Sequence, residues 1–142
     1  MLKTRLLHPG ILEALGEAGH GSQVLIADGN YPLRTRSNDA ARRVYLNLAP
    51  GLVSVTDVLG TLVDAIPIEA ARVMTPDEGD DPAIFADFRA LLGAIELERL
   101  ERFPFYDAAR GPDVALAIAT GEQRLYANLL LTIGVVDPGA AG

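Results

Sequence analysis

The chain has 142 residues, of which 49% are hydrophobic, and it carries a formal net charge of −7. This length suits one domain with a single core, and the negative charge argues against a nucleic-acid partner. The sequence contains no cysteine and only 2 histidines, which excludes a disulfide framework and the clustered ligands of a zinc site.

The apolar content also bears on membranes and assembly. No apolar run approaches the roughly 18 residues that a membrane-spanning helix needs. A signal peptide is not indicated, because Pro9-Gly10 and Glu13 interrupt the apolar stretch that follows the basic start. We therefore expect a cytoplasmic protein with no membrane partner, whose excess apolar surface is covered by self-association into a homo-oligomer.

Two helices and one buried strand are predicted in the first half of the chain. Residues 9–17 place their apolar side chains on one side and begin with a proline suited to a first helical turn. Residues 23–27 form a continuous apolar run, which is typical of a buried strand. Residues 31–43 are rich in arginine and have no period, which indicates a surface loop. In residues 54–66 the apolar positions recur at spacings of three and four, which predicts a helix.

The second half alternates shorter elements. We predict strands at 70–74, 95–101 and 114–120, helices at 83–92 and 103–109, an acidic loop at 75–82, a last apolar segment at 129–133 and a frayed tail at 137–142. The segment 95–101 is ambiguous, because its glutamates favour a helix while its apolar residues alternate as in a strand. Strands that alternate with helices predict a single layered α/β domain over residues 1–142.

The sequence lacks the common nucleotide-binding patterns. No Gly-x-Gly-x-x-Gly follows a strand, and no Gly-x-x-x-x-Gly-Lys-Ser/Thr is present. The acidic loop lacks the ligand spacing of a calcium-binding loop. We therefore expect neither a cofactor nor a metal.

The histidine between two glycines, Gly19-His20-Gly21, is the best candidate for acid–base chemistry. Histidine is the side chain whose ordinary pKa suits proton transfer near neutral pH. His20 and Asp28 bracket the predicted strand 23–27. Two alternatives remain: His20 could cap the preceding helix, where a cation contributes about 0.3–1 kcal/mol, and Asp28 could merely start a turn.

Several separated motifs carry a family resemblance over nearly the whole chain. In order they are Leu15-Gly-Glu-Ala-Gly-His20-Gly, Ala27-Asp28-Gly-Asn30-Tyr-Pro32, Glu101-Arg102-Phe-Pro-Phe-Tyr106 and Thr120-Gly-Glu-Gln-Arg-Leu-Tyr126-Ala-Asn128. Together they resemble the L-fucose mutarotase and D-ribose pyranase family. The resemblance implies a cofactor-independent enzyme that interconverts cyclic forms of a monosaccharide. It also implies a three-layer α/β domain with a central mixed sheet flanked by helices, assembled as a homo-oligomer, commonly a decamer of pentameric rings.

The resemblance also assigns roles to residues. It implies that His20 is the proton donor, that Asp28 binds sugar hydroxyls, and that Tyr126 and Asn128 contribute to the sugar site next to a subunit interface. Tyr106 stands where fucose-type members carry tyrosine and ribose-type members carry histidine, so the fucose-type branch is favoured.

Two further residues, Glu69 and Met74, fall where fucose mutarotases place an acidic residue and a methionine against the ligand. Residue type alone also allows plainer roles. Met74 could fill the core. Tyr106 and Tyr126 could be packing residues whose hydroxyl groups contact solvent. In the same way, Asn128 could cap a turn or a helix.

Three functions follow as hypotheses. The first is a mutarotase for L-fucose or a related sugar, which needs an acid and a base; His20 would be one, and Tyr106 or Tyr126 the other. The second is a D-ribose pyranase, which interconverts pyranose and furanose forms. The third is a non-catalytic sugar-binding accessory of transport, which would not need His20 to titrate.

Overall fold

The chain alternates helices and strands throughout residues 1–140, the part described by the computed structural model. The helices are α1 (Pro9–Glu17), α2 (Val55–Val63), α3 (Ile84–Leu92) and α4 (Arg102–Ala109), and the strands are β1 (Gln23–Ala27), β2 (Arg42–Tyr45), β3 (Ile68–Thr75), β4 (Leu97–Glu101), β5 (Val114–Ala119) and β6 (Leu129–Ile133). This is the α/β architecture that the sequence predicts. Among these helices none is long and apolar enough to span a membrane.

All six strands belong to one sheet, in the order β2-β5-β1-β6-β3-β4. Strands β2, β5 and β1 pair in parallel, and so do β3 and β4. Strand β6 lies between β1 and β3 and pairs antiparallel with both. The beginning of β6 therefore lies at the edge of the sheet where the other five strands end.

The two faces of the sheet are covered differently. On one face, α1, α2 and α3 bury a large apolar cluster that includes Ile26, Leu59, Phe85 and Leu129. On the other face, α4 and the loop after β1 bury a smaller cluster around Leu25 and the helix residues of α4. The result is the three-layer arrangement of helices, mixed sheet and helix that the family resemblance implies.

Helix α2 shows how local sequence sets an element. The Ser54 hydroxyl accepts a hydrogen bond from the Asp57 amide at 3.0 Å, and the Asp57 carboxylate accepts one from the Ser54 amide at 3.1 Å. This reciprocal pair satisfies two amides that the first helical turn leaves free. Helix α1 begins similarly, because the His8 ring accepts a hydrogen bond from the Ile11 amide at 3.2 Å. His8 is thus the cap of a helix.

Several bounds differ from the sequence predictions. Strand β2 occupies residues 42–45, so the predicted loop 31–43 is wrong at its end. Helix α2 ends at Val63 rather than 66, and β3 extends over 68–75 rather than 70–74. Residues 137–140 form an exposed turn closed by a hydrogen bond from the Ala140 amide to the Asp137 carbonyl. The last two positions of the predicted frayed tail, 141–142, lie outside the described residues.

Gly121 is packed too tightly for any side chain. A Cβ at this position would lie 2.6 Å from the Leu52 carbonyl oxygen and would also overlap the Ala49 carbonyl. Gly121 itself donates to the Val53 carbonyl at 3.0 Å. The loop that leads from β5 to β6 is thereby held against residues 49–53.

We predict that Gly121→Ala lowers the free energy of unfolding by about 1–3 kcal/mol, because two backbone segments must separate. Thermal unfolding followed by circular dichroism would measure it. The matched control is Gly16→Ala, in helix α1 with no atom within 4 Å of the new Cβ; there we expect unchanged or slightly higher stability. Equal midpoints for the two variants would contradict the prediction.

Candidate active site

The centre of the candidate site is a buried pair of polar side chains, Asp28 and Asn128. The Asp28 amide donates to the Asn128 side-chain oxygen at 2.8 Å, and the Asn128 amide nitrogen donates to the Asp28 carboxylate at 3.3 Å. Both residues are less than 6% exposed. Asp28 directly follows β1 and Asn128 directly precedes β6, so the antiparallel direction of β6 brings them together.

Burial sets the protonation chemistry of this pair. Removal from water raises the pKa of the Asp28 carboxyl above its ordinary value, while hydrogen bonds from the Asn30 amide and the Asn128 side chain act in the opposite direction. The Asn30 amide donates to Asp28 Oδ1 at 3.0 Å. Asp28 is therefore an oriented acceptor whose charge burial disfavours, and a further hydrogen-bond donor that reached it from outside would stabilise that charge.

A cavity of about 280 Å³ opens over this pair. It is lined by Asp28, Asn30, Tyr31, Met74, Arg102, Tyr106, Leu125, Tyr126 and Asn128. The cavity has roughly the size and the mixture of apolar walls and few polar groups that are typical of small-molecule sites. Tyr126 has a backbone φ of 59°, in the left-handed region that residues with a side chain rarely adopt.

Tyr106 is held by arginine and tyrosine neighbours. Arg102 Nε donates to the Tyr106 hydroxyl oxygen at 3.2 Å. The guanidinium carbons of Arg102 and Arg36 lie 5.5 Å and 5.4 Å from the centre of the Tyr106 ring. Since the Tyr106 oxygen already accepts one hydrogen bond, its own proton remains available to a ligand in the cavity.

Tyr31 packs edge-on against Tyr106, with ring centres 5.3 Å apart. Its hydroxyl donates to the Arg36 carbonyl at 2.8 Å. Burial raises the pKa of Tyr31 above its ordinary range. Tyr31 therefore forms a wall of the cavity and fixes the backbone at Arg36, and it is poorly suited to give up a proton.

His20 lies at the opposite end of β1 from Asp28. The strand between them has 5 residues, which corresponds to about 17 Å. The His20 ring Nε2 is 3.0 Å from the Glu69 carboxylate, and both side chains are about half exposed. A carboxylate only accepts hydrogen bonds, so Nε2 carries a proton and Nδ1 of the neutral ring is left to accept.

A β-bulge places Glu69 beside His20. Ile68 pairs with Ile133 and Ala70 pairs with Thr132, so Glu69 is an extra residue opposite β6. Bulges redirect side chains in this way. The bulge presents the Glu69 carboxylate to His20 at the edge of the sheet where β1 and β3 begin.

The structure thus divides the predicted site residues into two groups. One cavity brings together Asp28, Met74, Tyr106, Tyr126 and Asn128. His20 and Glu69 form a separate pair at the other edge of the sheet.

The sequence analysis does not assign Asn30, Tyr31, Arg102 or Leu125 to the site, although all four line the cavity. Asn30 and Tyr31 stand in the same turn as Asp28, and this proximity is the signal that could have found them. Arg102 stands four positions before Tyr106, a spacing that places two side chains on one face of a helix.

The cavity group can bind and polarise hydroxyl groups, and the His20–Glu69 pair can exchange a proton. Within residues 1–140, no three His, Cys, Asp or Glu side chains converge so that they could hold a metal ion.

Comparison with known proteins gives a consistent result. The sequence profile of the RbsD / FucU transport protein family matches residues 1–136. The structure is similar to Bacillus subtilis RbsD complexed with D-ribose, with a TM-score of 0.83 and 26% identity over 96% of this chain and 100% of that one. It is also similar to the Streptococcus pneumoniae fucose mutarotase in complex with L-fucose, with a TM-score of 0.81 and 28% identity over 96% of this chain and 100% of that one.

A third solved structure, FucU from Bifidobacterium longum, has a TM-score of 0.78 and 31% identity over 92% of this chain and 95% of that one. The profile match over residues 1–136 and the whole-domain structural likeness agree. This chain therefore belongs to the RbsD / FucU transport protein family.

Proposed function

We propose that this protein is a cofactor-independent mutarotase that interconverts the anomers of a monosaccharide, L-fucose or a related sugar, by acid–base ring opening and closure. The observation that carries the proposal is the single cavity that unites Asp28, Asn128, Tyr106 and Tyr126. Solved relatives in complex with D-ribose and with L-fucose support a monosaccharide as the ligand.

The chemistry needs two proton transfers. A cyclic sugar opens when the anomeric hydroxyl loses a proton while the ring oxygen gains one, and closure on the other face of the carbonyl reverses both. Paired groups with suitable pKa values contribute about 10²–10⁴-fold each. In our proposal His20 Nδ1 takes the proton of the anomeric hydroxyl on opening and donates it back on closure. The Tyr106 hydroxyl gives its proton to the ring oxygen on opening and recovers it on closure. Asp28 and Asn128 hold sugar hydroxyls and read their stereochemistry.

In our proposal, oligomerisation bridges the separation of His20 from Asp28. About 17 Å of strand lies between them, too far for both to touch one monosaccharide in one subunit. We infer that His20 of one subunit completes the cavity of a neighbour. Exposed apolar side chains, among them Leu125 at 65% and Phe103 at 60% exposure beside the cavity, support an interface there. A ring-based assembly, with a decamer of pentameric rings as the expected form, would repeat this contact.

A D-ribose pyranase is the second candidate. The likeness to RbsD complexed with D-ribose favours it, whereas tyrosine at position 106 favours the fucose-type branch. A sugar-binding accessory without turnover is the alternative of another class, and it differs in not requiring His20.

We predict that His20→Ala lowers the rate of anomer exchange by about 10²–10⁴-fold while sugar binding is retained. The exposed position of His20 makes this substitution compatible with folding. Saturation-transfer NMR on L-fucose, D-ribose, L-rhamnose and D-galactose would measure exchange, and calorimetric titration would measure binding.

The control is the other histidine, replaced as His8→Asn, because asparagine can still cap α1. We expect this variant to keep wild-type exchange. Full activity of His20→Ala would rule out the catalytic assignment, and binding without exchange in the wild type would favour the accessory role.

A shared site predicts complementation between two inactive variants. We expect His20→Ala and Asp28→Asn oligomers to be inactive separately and to regain about a quarter of wild-type exchange when randomly mixed in one oligomer, since a fraction of sites then receives both native residues. Co-expression with two different tags and tandem purification would provide the mixed oligomers. Mixed oligomers with no recovered exchange would refute the shared site.

The raised pKa of Asp28 predicts a pH dependence of stability. A raised pKa means that the folded chain binds this proton more tightly than the unfolded chain. The free energy of unfolding therefore falls as the pH rises from the ordinary aspartate pKa of about 3.9 through the raised pKa of the folded chain. At higher pH the contribution of Asp28 to stability no longer changes. Asp28→Asn removes it. We expect the thermal midpoint of the variant to rise relative to the wild type across that window. Thermal midpoints that change with pH in parallel for the two proteins would contradict this prediction.

A further inference from the structure

The arginines of this chain differ in whether they form an ion pair with a carboxylate. Seven of them form ion pairs with an aspartate or glutamate. Within residues 1–140, the arginines that lack such a pair are Arg34, Arg36, Arg102 and Arg110. These arginines thus lack a carboxylate partner although the chain has an excess of acidic residues and a net charge of −7.

One of these four arginines lines the sugar-sized cavity, and two others lie beside it. Arg102 lines it directly. Arg36 is partly buried and, like Arg102, stacks against Tyr106. Arg34 lines an adjoining pocket of about 270 Å³ that shares Asp28 and Tyr31 with the first.

The positions of Arg36 and Arg102 are defined by contacts that use little of their hydrogen-bonding capacity. Arg102 Nε donates to the Tyr106 hydroxyl oxygen. Both terminal nitrogens of Arg102 can therefore donate to another acceptor. The Tyr31 hydroxyl donates a hydrogen bond to the Arg36 carbonyl. This bond orders the backbone at Arg36 and so helps to place its side chain against the Tyr106 ring.

We propose that Arg36 and Arg102 select a monosaccharide that carries an anionic substituent, a carboxylate such as that of a hexuronate. This inference rests on the proposed function. It specifies that the substrate, among the sugars related to L-fucose, is one that carries a negative charge. Asp28 and Asn128 bind the neutral hydroxyls at the strand ends of the cavity, while the guanidinium groups beside α4 neutralise the substituent. A planar guanidinium donates paired hydrogen bonds to a carboxylate, and a sugar phosphate offers related chemistry.

The test compares sugars that differ only at carbon 6. Saturation-transfer NMR, corrected for exchange without protein, would give kcat/KM of the oligomer for D-galacturonate and D-galactose, and for D-glucuronate, D-glucose and D-glucose 6-phosphate. L-Fucose is included as a neutral reference. We expect the carboxylate sugar to be preferred over its neutral partner by about tenfold or more at low salt, with the preference falling as salt is added. Preference for the phosphate alone would identify a sugar phosphate and overturn the carboxylate.

Three variants test which arginines cause the preference for charged sugars. We expect Arg36→Gln and Arg102→Gln each to reduce the ratio of charged to neutral kcat/KM by about tenfold. The matched control is Arg110→Gln, an exposed arginine without an ion pair at the far end of α4, and it should leave the ratio unchanged.

The outcomes separate this inference from the proposed function. Exchange of neutral sugars with no preference for charged ones would overturn the anionic substrate and leave the mutarotase intact. A preference for charged sugars that survives both arginine substitutions would overturn the assignment to Arg36 and Arg102. Absence of exchange for every sugar would overturn the inference together with the proposed function.

Discussion

Asp28 and Asn128 hold each other through two hydrogen bonds although they are separated by 100 positions in the sequence, and the candidate site depends on this pair. The pair exists because β6 runs antiparallel between β1 and β3. A parallel β6 would begin at the other edge of the sheet and would remove Asn128 and Tyr126 from Asp28. The same pair also makes burial of the Asp28 carboxylate tolerable, since a buried acceptor without donors is costly.

The sequence predicts most helices and the inner strands because their apolar periodicity is long and strong. Strand β2 escapes prediction for a physical reason. It is a four-residue edge strand with one fully buried side chain, Val44, and two arginines, so its pattern is indistinguishable from that of a polar loop. Strand β4 is recognisable from its alternating residues, although its glutamates favour a helix. Both are edge strands, where tertiary pairing outweighs local preference.

The site is only partly predictable, because its geometry depends on strand direction and register. The family resemblance is confirmed by the profile match, and the positions of His20 before β1 and Asp28 after it already imply that they lie far apart. The pairing of Glu69 with His20 could not be foreseen, because it requires an extra residue opposite β6. The position of Arg36 is equally hidden, since Arg36 reaches Tyr106 only when the loop after β1 packs on α4.

Tyr126 lines the cavity in a backbone conformation that is costly for folding. Its left-handed backbone conformation costs a residue with a Cβ about 1–2 kcal/mol relative to the ordinary helical region, and glycine would avoid this cost. A chain optimised for stability alone would therefore carry glycine or asparagine at this position. Under the proposed function, engineering for heat resistance and engineering for activity would choose different residues at position 126, so stability-based redesign of this fold should leave the tyrosine in place.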